Sequence, residues 1–219
     1  PGRERIDTEL VVIGAGAAGM MCAAVAGRRG RSVMILDHAG KPGEKIRISG
    51  GGRCNFTNRG ATPARFLSDN PHFCISALSR YTPDDFIALV AQYGIAFHEK
   101  TLGQLFCDGP AQQIIDLLLS EMRKAAVELR LNAKLAHAEK TPDGFLLQLS
   151  DGEQLQCGAL IVATGGKSIP KMGASAFGYR LAEQFGLRVT PTRPALVPLT
   201  FEPGLLKRLS MLSGVAVPA

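Results

Sequence analysis

Near the start of this sequence, three glycines and one acid have the types and spacing to bind a phosphorylated ligand. Gly14, Gly16 and Gly19 fall in the order Gly-x-Gly-x-x-Gly, with Ala17 and Ala18 between the last two. The first glycine permits a tight turn, the second lets a pyrophosphate approach the backbone, and the third lets a helix pack closely on a strand. A helix opening at this point offers its free N–H groups and positive dipole end to phosphate. Asp37, with His38 beside it, follows at about the 20-residue spacing of an acid that binds an adenosine ribose. Taken together, these residues read as a dinucleotide-binding fingerprint.

The elements needed to hold that constellation are also legible. Leu10 to Ile13 is a continuous apolar, β-branched run, expected as a buried parallel strand. The following helix is expected to end at Arg28-Arg29-Gly30, where cations suit the dipole and glycine suits a left-handed cap. Ser32 to Leu36 then reads as a second strand ending at Asp37. Residues 38–58 read as a long loop containing Lys45, Gly51, Gly52, Arg53, Cys54, Asn55 and Thr57. A loop of that length inside a compact domain points to ligand contact.

Farther along, Thr82-Pro83-Asp84-Asp85 reads as a helix start, and Gln112 to Leu129 as an amphipathic helix. His98 and Glu99 have catalytic residue types but read as an exposed strand end. Asp143-Gly144 and Asp151-Gly152 are hairpin signals within an antiparallel meander. The strand Ala159 to Ala163 is continuous and apolar and ends in Thr164-Gly165-Gly166, which places a second glycine turn beside the first. A helix follows near Tyr179 to Phe185. Leu187 to Phe201 reads as β-rich and interrupted by prolines.

The chain has 219 residues, 46% of them hydrophobic and 20% charged, with a net charge of +6. Its basic residues are scattered and no aromatic RNA motif accompanies them, so nucleic acid is disfavoured as a partner and a small-molecule substrate is expected. Acids interrupt the N-terminal stretch and glycines punctuate it, against a signal peptide or a membrane span. Five cysteines without a CxxC pair or zinc-like spacing read as reduced thiols in a cytoplasmic protein, with no metal site expected.

A strand, a Gly-x-Gly-x-x-Gly turn, an acid, a meander and a strand ending in Thr-Gly-Gly point to FAD rather than NAD. With these residues, the chain resembles the BaiN/YhiN-like bacterial flavoproteins, which include aminoacetone oxidase-like members and are described as NAD(P)/FAD-dependent oxidoreductases. The likeness is carried by Gly14 to Gly19, by Lys45 with Ser49-Gly-Gly-Gly-Arg-Cys-Asn-Phe-Thr-Asn58, by Ala163 to Gly166, and by Lys171 to Ser175 with Phe177-Gly-Tyr179. Thr192 to Pro198 extends it.

The resemblance implies an α/β, Rossmann-like FAD-binding domain over residues 1–193, with a parallel sheet, a helical layer and an antiparallel meander. Residues 194–219 would begin an inserted β-rich domain. Family members run to roughly 400 residues, so a returning segment that helps complete the flavin site is expected to be missing from this stretch. Gly14, Gly16, Ala17, Ala18 and Gly19 would hold pyrophosphate, and Asp37 and His38 the ribose. Ala133, Lys134 and Leu135 would meet adenine, and Ala163, Thr164, Gly165 and Gly166 would pass close to the cofactor. Lys45 and Arg53 are candidates for phosphate or substrate charge. Gly51, Gly52, Cys54, Asn55 and Thr57 are candidates for the flavin side. A bulky residue at Gly51 is expected to displace the flavin ring rather than unfold the domain.

The expected function is an FAD-dependent oxidoreductase passing hydride through flavin, with NAD(P)H a candidate donor. Reduction of a conjugated carbonyl and oxidation of an amine both remain open, and no catalytic acid or base is identified. A flavoprotein acting on RNA is the alternative, supported by the basic balance alone. An inactive FAD-binding fragment is a third reading.

Overall fold

The structure is a computed structural model, and it describes residues 6–169, 175–193 and 201–210. Its strands are β1 (Ile6–Ile13), β2 (Val33–Leu36), β3 (Asn55–Asn58), β4 (Phe97–Glu99), β5 (Gln104–Cys107), β6 (Glu128–Arg130), β7 (Leu135–Thr141), β8 (Gly144–Leu149) and β9 (Gln154–Val162). Its α-helices are α1 (Ala17–Arg28), α2 (Glu44–Ile48), α3 (Ile75–Arg80), α4 (Pro83–Gln92), α5 (Gln112–Lys124), α6 (Phe177–Gln184) and α7 (Pro203–Leu209).

Six strands form one sheet in the order β6-β2-β1-β9-β8-β7. The pairs β6–β2, β2–β1 and β1–β9 are parallel, while β9–β8 and β8–β7 are antiparallel. Because side chains alternate along a strand, a strand covered on both sides must be apolar at consecutive positions. Leu10 and Val12 face a core shared with Met20 and Ala23 of α1 and Ile115 and Leu118 of α5. Val11 and Ile13 face a second core with Leu147, Leu155 and Leu181. The meander expected between the two cofactor strands is β7–β8–β9, with its hairpins where Asp143-Gly144 and Asp151-Gly152 placed them.

A second sheet of three strands, in the order β3-β5-β4, carries the glycine-rich stretch. Next to it, α4 starts on a capping box in which Thr82 accepts from the Asp85 N–H at 3.2 Å and Asp85 accepts from the Thr82 N–H at 2.7 Å.

Three expectations change. The helix begun at Gln112 ends at Lys124 rather than Leu129, because Ala126 turns left-handed at φ 52° and 128–130 join the sheet beside β2. The apolar period running through Ala125 and Ala126 hid that break. The long loop of residues 38–58 contains α2, a 3₁₀ segment at Ser49–Gly52, and β3. Within the stretch read as β-rich, residues 187–193 form no strand, and 194–200 lie outside the described residues. Beyond it, α7 is capped by the Glu202 carboxylate, which accepts from the N–H groups of Gly204 and Leu205.

Candidate functional site

The phosphate turn lies between β1 and α1, at the end of the sheet where β9 also finishes. A Cβ at Gly14 would stand 2.5 Å from the Ala163 carbonyl oxygen, and one at Gly19 would stand 1.8 Å from the Gly14 carbonyl oxygen. These two glycines are therefore required by the protein's own packing. Gly16 differs, since no protein atom lies within 4 Å of where its Cβ would be. That open position, at the N-terminus of a 12-residue helix, is where a pyrophosphate would meet the backbone.

Asp37 leaves β2 beside this turn. Its Oδ2 accepts from the Ala15 N–H at 2.6 Å and its Oδ1 from the Ala39 N–H at 2.8 Å. The carboxylate thus holds the phosphate turn in register with the end of β2, and each oxygen keeps a lone pair for a ribose hydroxyl. The Ala133 N–H donates to the Asp37 carbonyl at 2.8 Å, which draws the chain before β7 alongside.

The result is a cleft of about 410 Å³ that joins Gly14, Asp37, His38, Ala133, Lys134, Leu135 and Thr164. Residues from four separate stretches of sequence meet there. Phe177 and Arg180 of α6 also line it; from sequence, Phe177 was singled out only for the family likeness and Arg180 not at all. The available signal was the expected helix after the Thr-Gly-Gly turn, which the structure places at Phe177–Gln184.

The remaining candidates form a second group around the three-stranded sheet. Lys45 of α2 joins the two groups, with its Nζ 3.1 Å from Ser168 Oγ and 3.4 Å from the Gly166 carbonyl oxygen. After α2 the chain turns left-handed at Gly50 and Gly51. Gly50 is closed in by Phe106, whereas Gly51 and Gly52 have no protein atom within 4 Å of a Cβ position. Cys54 is buried, and its thiol pKa is raised by that burial, so it stays protonated near neutrality. No second cysteine lies near Cys54 in sequence, yet the register Asn55↔Phe106 places Cys107 next to it across β3–β5. Cys107 is pushed up to about 11, chiefly by burial and then by the neighbouring Cys54.

With its amide turned to face its acceptors, Asn55 donates to the carbonyls of Leu105 at 3.2 Å and Thr57 at 3.1 Å. That side chain braces the small sheet. His98 and Glu99 do not act together. His98 pairs with Asp108 at 2.6 Å and Glu99 with Arg59 at 2.9 Å, on opposite sides of β4.

The family model described as the HI0933-like protein Rossmann domain matches residues 8–217. The chain belongs to the HI0933-like Rossmann family. Its fold is the α/β, Rossmann-like, FAD-binding fold of flavoprotein oxidoreductases. The chain is 56% identical over 216 residues to the ribosomal RNA dihydrouridine synthase of Escherichia coli K12, covering 99% of this chain and 53% of that protein. To the protein of the same name from Haemophilus influenzae it is 50% identical, covering 96% of this chain and 53% of that one. A 3-dehydro-bile acid delta(4,6)-reductase of Clostridium scindens is 29% identical, covering 86% of this chain and 46% of that protein. The chain spans about half the length of the curated relatives it matches. Among solved structures, the Diels-Alderase PyrE3 aligns with a TM-score of 0.52 at 16% identity, over 82% of this chain and 34% of that one, a likeness of fold alone.

These names correct one expectation. A small-molecule substrate was expected and nucleic acid disfavoured, whereas both relatives at 50% identity or more are named for ribosomal RNA. The expectation rested on the scatter of basic residues along the sequence. Lys45, 121 residues from Gly166 in sequence, lies against it in the fold, so scatter along the chain does not fix where a cation sits. No helix among the described residues is long and apolar enough to cross a membrane.

Proposed function

We propose that this chain is the FAD-binding part of a flavoenzyme that saturates the C5–C6 double bond of a uridine in ribosomal RNA. The observation that carries the reading is 56% identity across 99% of the chain to a relative of that name, which takes in the phosphate turn and the glycine-rich loop together. Dihydrouridine is uridine with one hydride and one proton added across a carbon–carbon bond. The delta(4,6)-reductase name likewise describes saturation of carbon–carbon double bonds. Reduction, rather than the amine oxidation of aminoacetone oxidase-like proteins, is therefore the reaction class.

FAD fits the residues present. Gly16, Gly51 and Gly52 leave backbone open where a ligand would approach, and the cleft at Asp37 has room for an adenosine. When bound, FAD supplies a ring able to accept and return a hydride. The N–H groups at the start of α1 would hold its pyrophosphate, Asp37 its ribose, and Ala133 to Leu135 its adenine. The Gly51-Gly52 backbone would lie against the ring. The electron pair would come from NAD(P)H. We place the domain boundary at 193/194, with 194–219 opening a second domain. A cytoplasmic setting accompanies this reading, since ribosomes are its substrate.

The test is to incubate FAD-loaded complete protein with NADPH or NADH and ribosomal RNA from cells lacking the gene. Nucleoside mass spectrometry should then find dihydrouridine where none existed. Oxidation of the nicotinamide with no dihydrouridine in any form of the RNA would refute the reading.

A further inference from the structure

Away from the Asp37 cleft, a cavity of about 650 Å³ lies where residues 58–66 pack against 102–104. Phe66 and Leu102 stand on its rim, 49% and 90% exposed. Leu102 is left-handed at φ 61°, ψ 27°. That conformation costs a branched, non-glycine residue roughly 1–2 kcal/mol, and here no burial offsets it. A strained residue presenting an apolar side chain to solvent is an outlier of the kind that collects at ligand clamps.

The wall beneath Leu102 is fixed in place. Asn58 donates to the Leu102 carbonyl at 2.9 Å and accepts from the Gly60 N–H at 2.7 Å. Arg65 lines the same cavity, and no carboxylate among the described residues pairs with it. Nearby Arg59, by contrast, is held by Glu99 at 2.9 Å and Asp84 at 3.7 Å. An aromatic face, an apolar rim and an uncompensated guanidinium around one cavity match the needs of a single-stranded nucleotide, a base to stack and a phosphate to pair. β3 runs ~10 Å over its three steps from Asn55 to Asn58, and Arg53 and Cys54 join it to the Gly50–Gly52 loop.

The geometry points to this cavity as a subsite for a nucleotide flanking the reacting base. The flanking nucleotide's base would stack on Phe66 against Leu102, with its phosphate at Arg65. The inference rests on the RNA reading given above and adds where the strand lies.

The test uses the complete FAD-loaded protein and a short labelled single-stranded RNA, followed by fluorescence anisotropy over a range of salt. Phe66→Ala should weaken binding about tenfold, within the span of base–aromatic stacking. Arg65→Gln should lower the salt slope by about one. Leu102→Gly relieves the backbone strain, so it should weaken RNA binding while keeping or raising the melting temperature. Flavin absorbance should be unchanged in all three. Leu67→Ala, at a 96% exposed neighbour that does not line the cavity, should bind as the wild type does. If the wild type binds RNA but Phe66→Ala and Leu102→Gly bind equally well, the subsite is refuted and the RNA reading stands. If Phe66→Ala lowers the melting temperature with RNA affinity intact, the surface belongs to the protein's own packing and the subsite is again refuted. A wild type that binds no RNA at any salt would overturn both.

Discussion

At the phosphate turn, a Cβ on Gly14 or Gly19 would run into backbone oxygen at 2.5 or 1.8 Å, while one on Gly16 would meet nothing. In the glycine-rich loop, a Cβ on Gly50 would lie 2.7 Å from the Phe106 ring, while Gly51 and Gly52 stand open. Each region therefore holds two kinds of glycine. One kind lets the protein pack against itself, and the other leaves backbone uncovered. A sequence shows both as the same letter. The difference predicts which substitutions damage the fold and which damage only ligand binding.

The largest effect is expected at Gly19. Gly19→Ala places a methyl inside the Gly14 carbonyl, and relief requires α1 to move off β1. Overpacking of this severity costs about 3 kcal/mol or more, which corresponds to a melting-temperature loss of about 6–12 °C for a chain of this size. Thermal unfolding of FAD-free protein reads it directly. A variant melting within a degree of wild type would break the distinction between closed and open glycines.

Gly16→Ala is the matching change at an open position. Its φ of −85° suits any residue and the added methyl has free space. The FAD-free protein should lose less than ~1 kcal/mol, the cost of a weaker helix cap. FAD affinity should fall about tenfold or more, because the methyl occupies the pyrophosphate's approach. Titration of FAD-free protein by flavin fluorescence measures that loss. Unchanged affinity would show that the open position is not where phosphate lies.

In the second region the open glycines are also strained. Gly51 has φ 65°, so Gly51→Val would lose roughly 1–2 kcal/mol from its backbone alone. Gly51→Val should therefore melt a few degrees below wild type even without FAD. Asparagine tolerates the left-handed region, so Gly51→Asn separates the two effects. It should melt within about 2 °C of wild type without FAD, yet lower flavin occupancy or shift the flavin spectrum. An unaltered spectrum and affinity would leave Gly51 a surface turn.

The two regions also differ in how legible they were. The phosphate turn, β2, Asp37 and the second glycine turn could be read because a parallel strand, a glycine spacing and an acid are all local signals. That Asp37 braces Ala15 and Ala39 was not visible, since it depends on tertiary hydrogen bonds. The small sheet escaped notice because β3 and β5 are four residues each and pair across a long separation in sequence. Cys107 beside Cys54 and Arg180 in the cleft at Asp37 follow from such long-range meetings. Spacing along one segment carries no information about them.

The smallest effect is a control remote from both glycine sets. Glu121 is the one buried charged side chain among the described residues. It accepts from Tyr93 Oη at 2.5 Å and Lys124 Nζ at 3.1 Å, and it also pairs with Arg28. The Tyr93 hydrogen bond, followed by Lys124 and Arg28, outweighs burial and holds its carboxyl below the ordinary value of 4.5. An acid whose folded pKa is lowered contributes stability that is present above its unfolded value and lost as pH falls through the folded one. Glu121 therefore stabilises the α1–α4–α5 contact fully above about pH 4.5, and that contribution drains away below it. Glu121→Gln keeps an acceptor for Tyr93 but removes the charge facing Arg28 and Lys124, both largely in contact with solvent. The variant should lose about 1 kcal/mol at neutral pH, seen as a few degrees in melting temperature. That deficit should shrink as pH drops below 4.5, because the wild type loses the same interaction by protonation. FAD affinity should not change at any pH where the protein is folded. A deficit that stays constant from pH 7 to pH 3 would show that Glu121 acts through shape alone. A change in FAD affinity would show that the helix layer and the phosphate turn are coupled, which the closed packing around Gly19 does not predict.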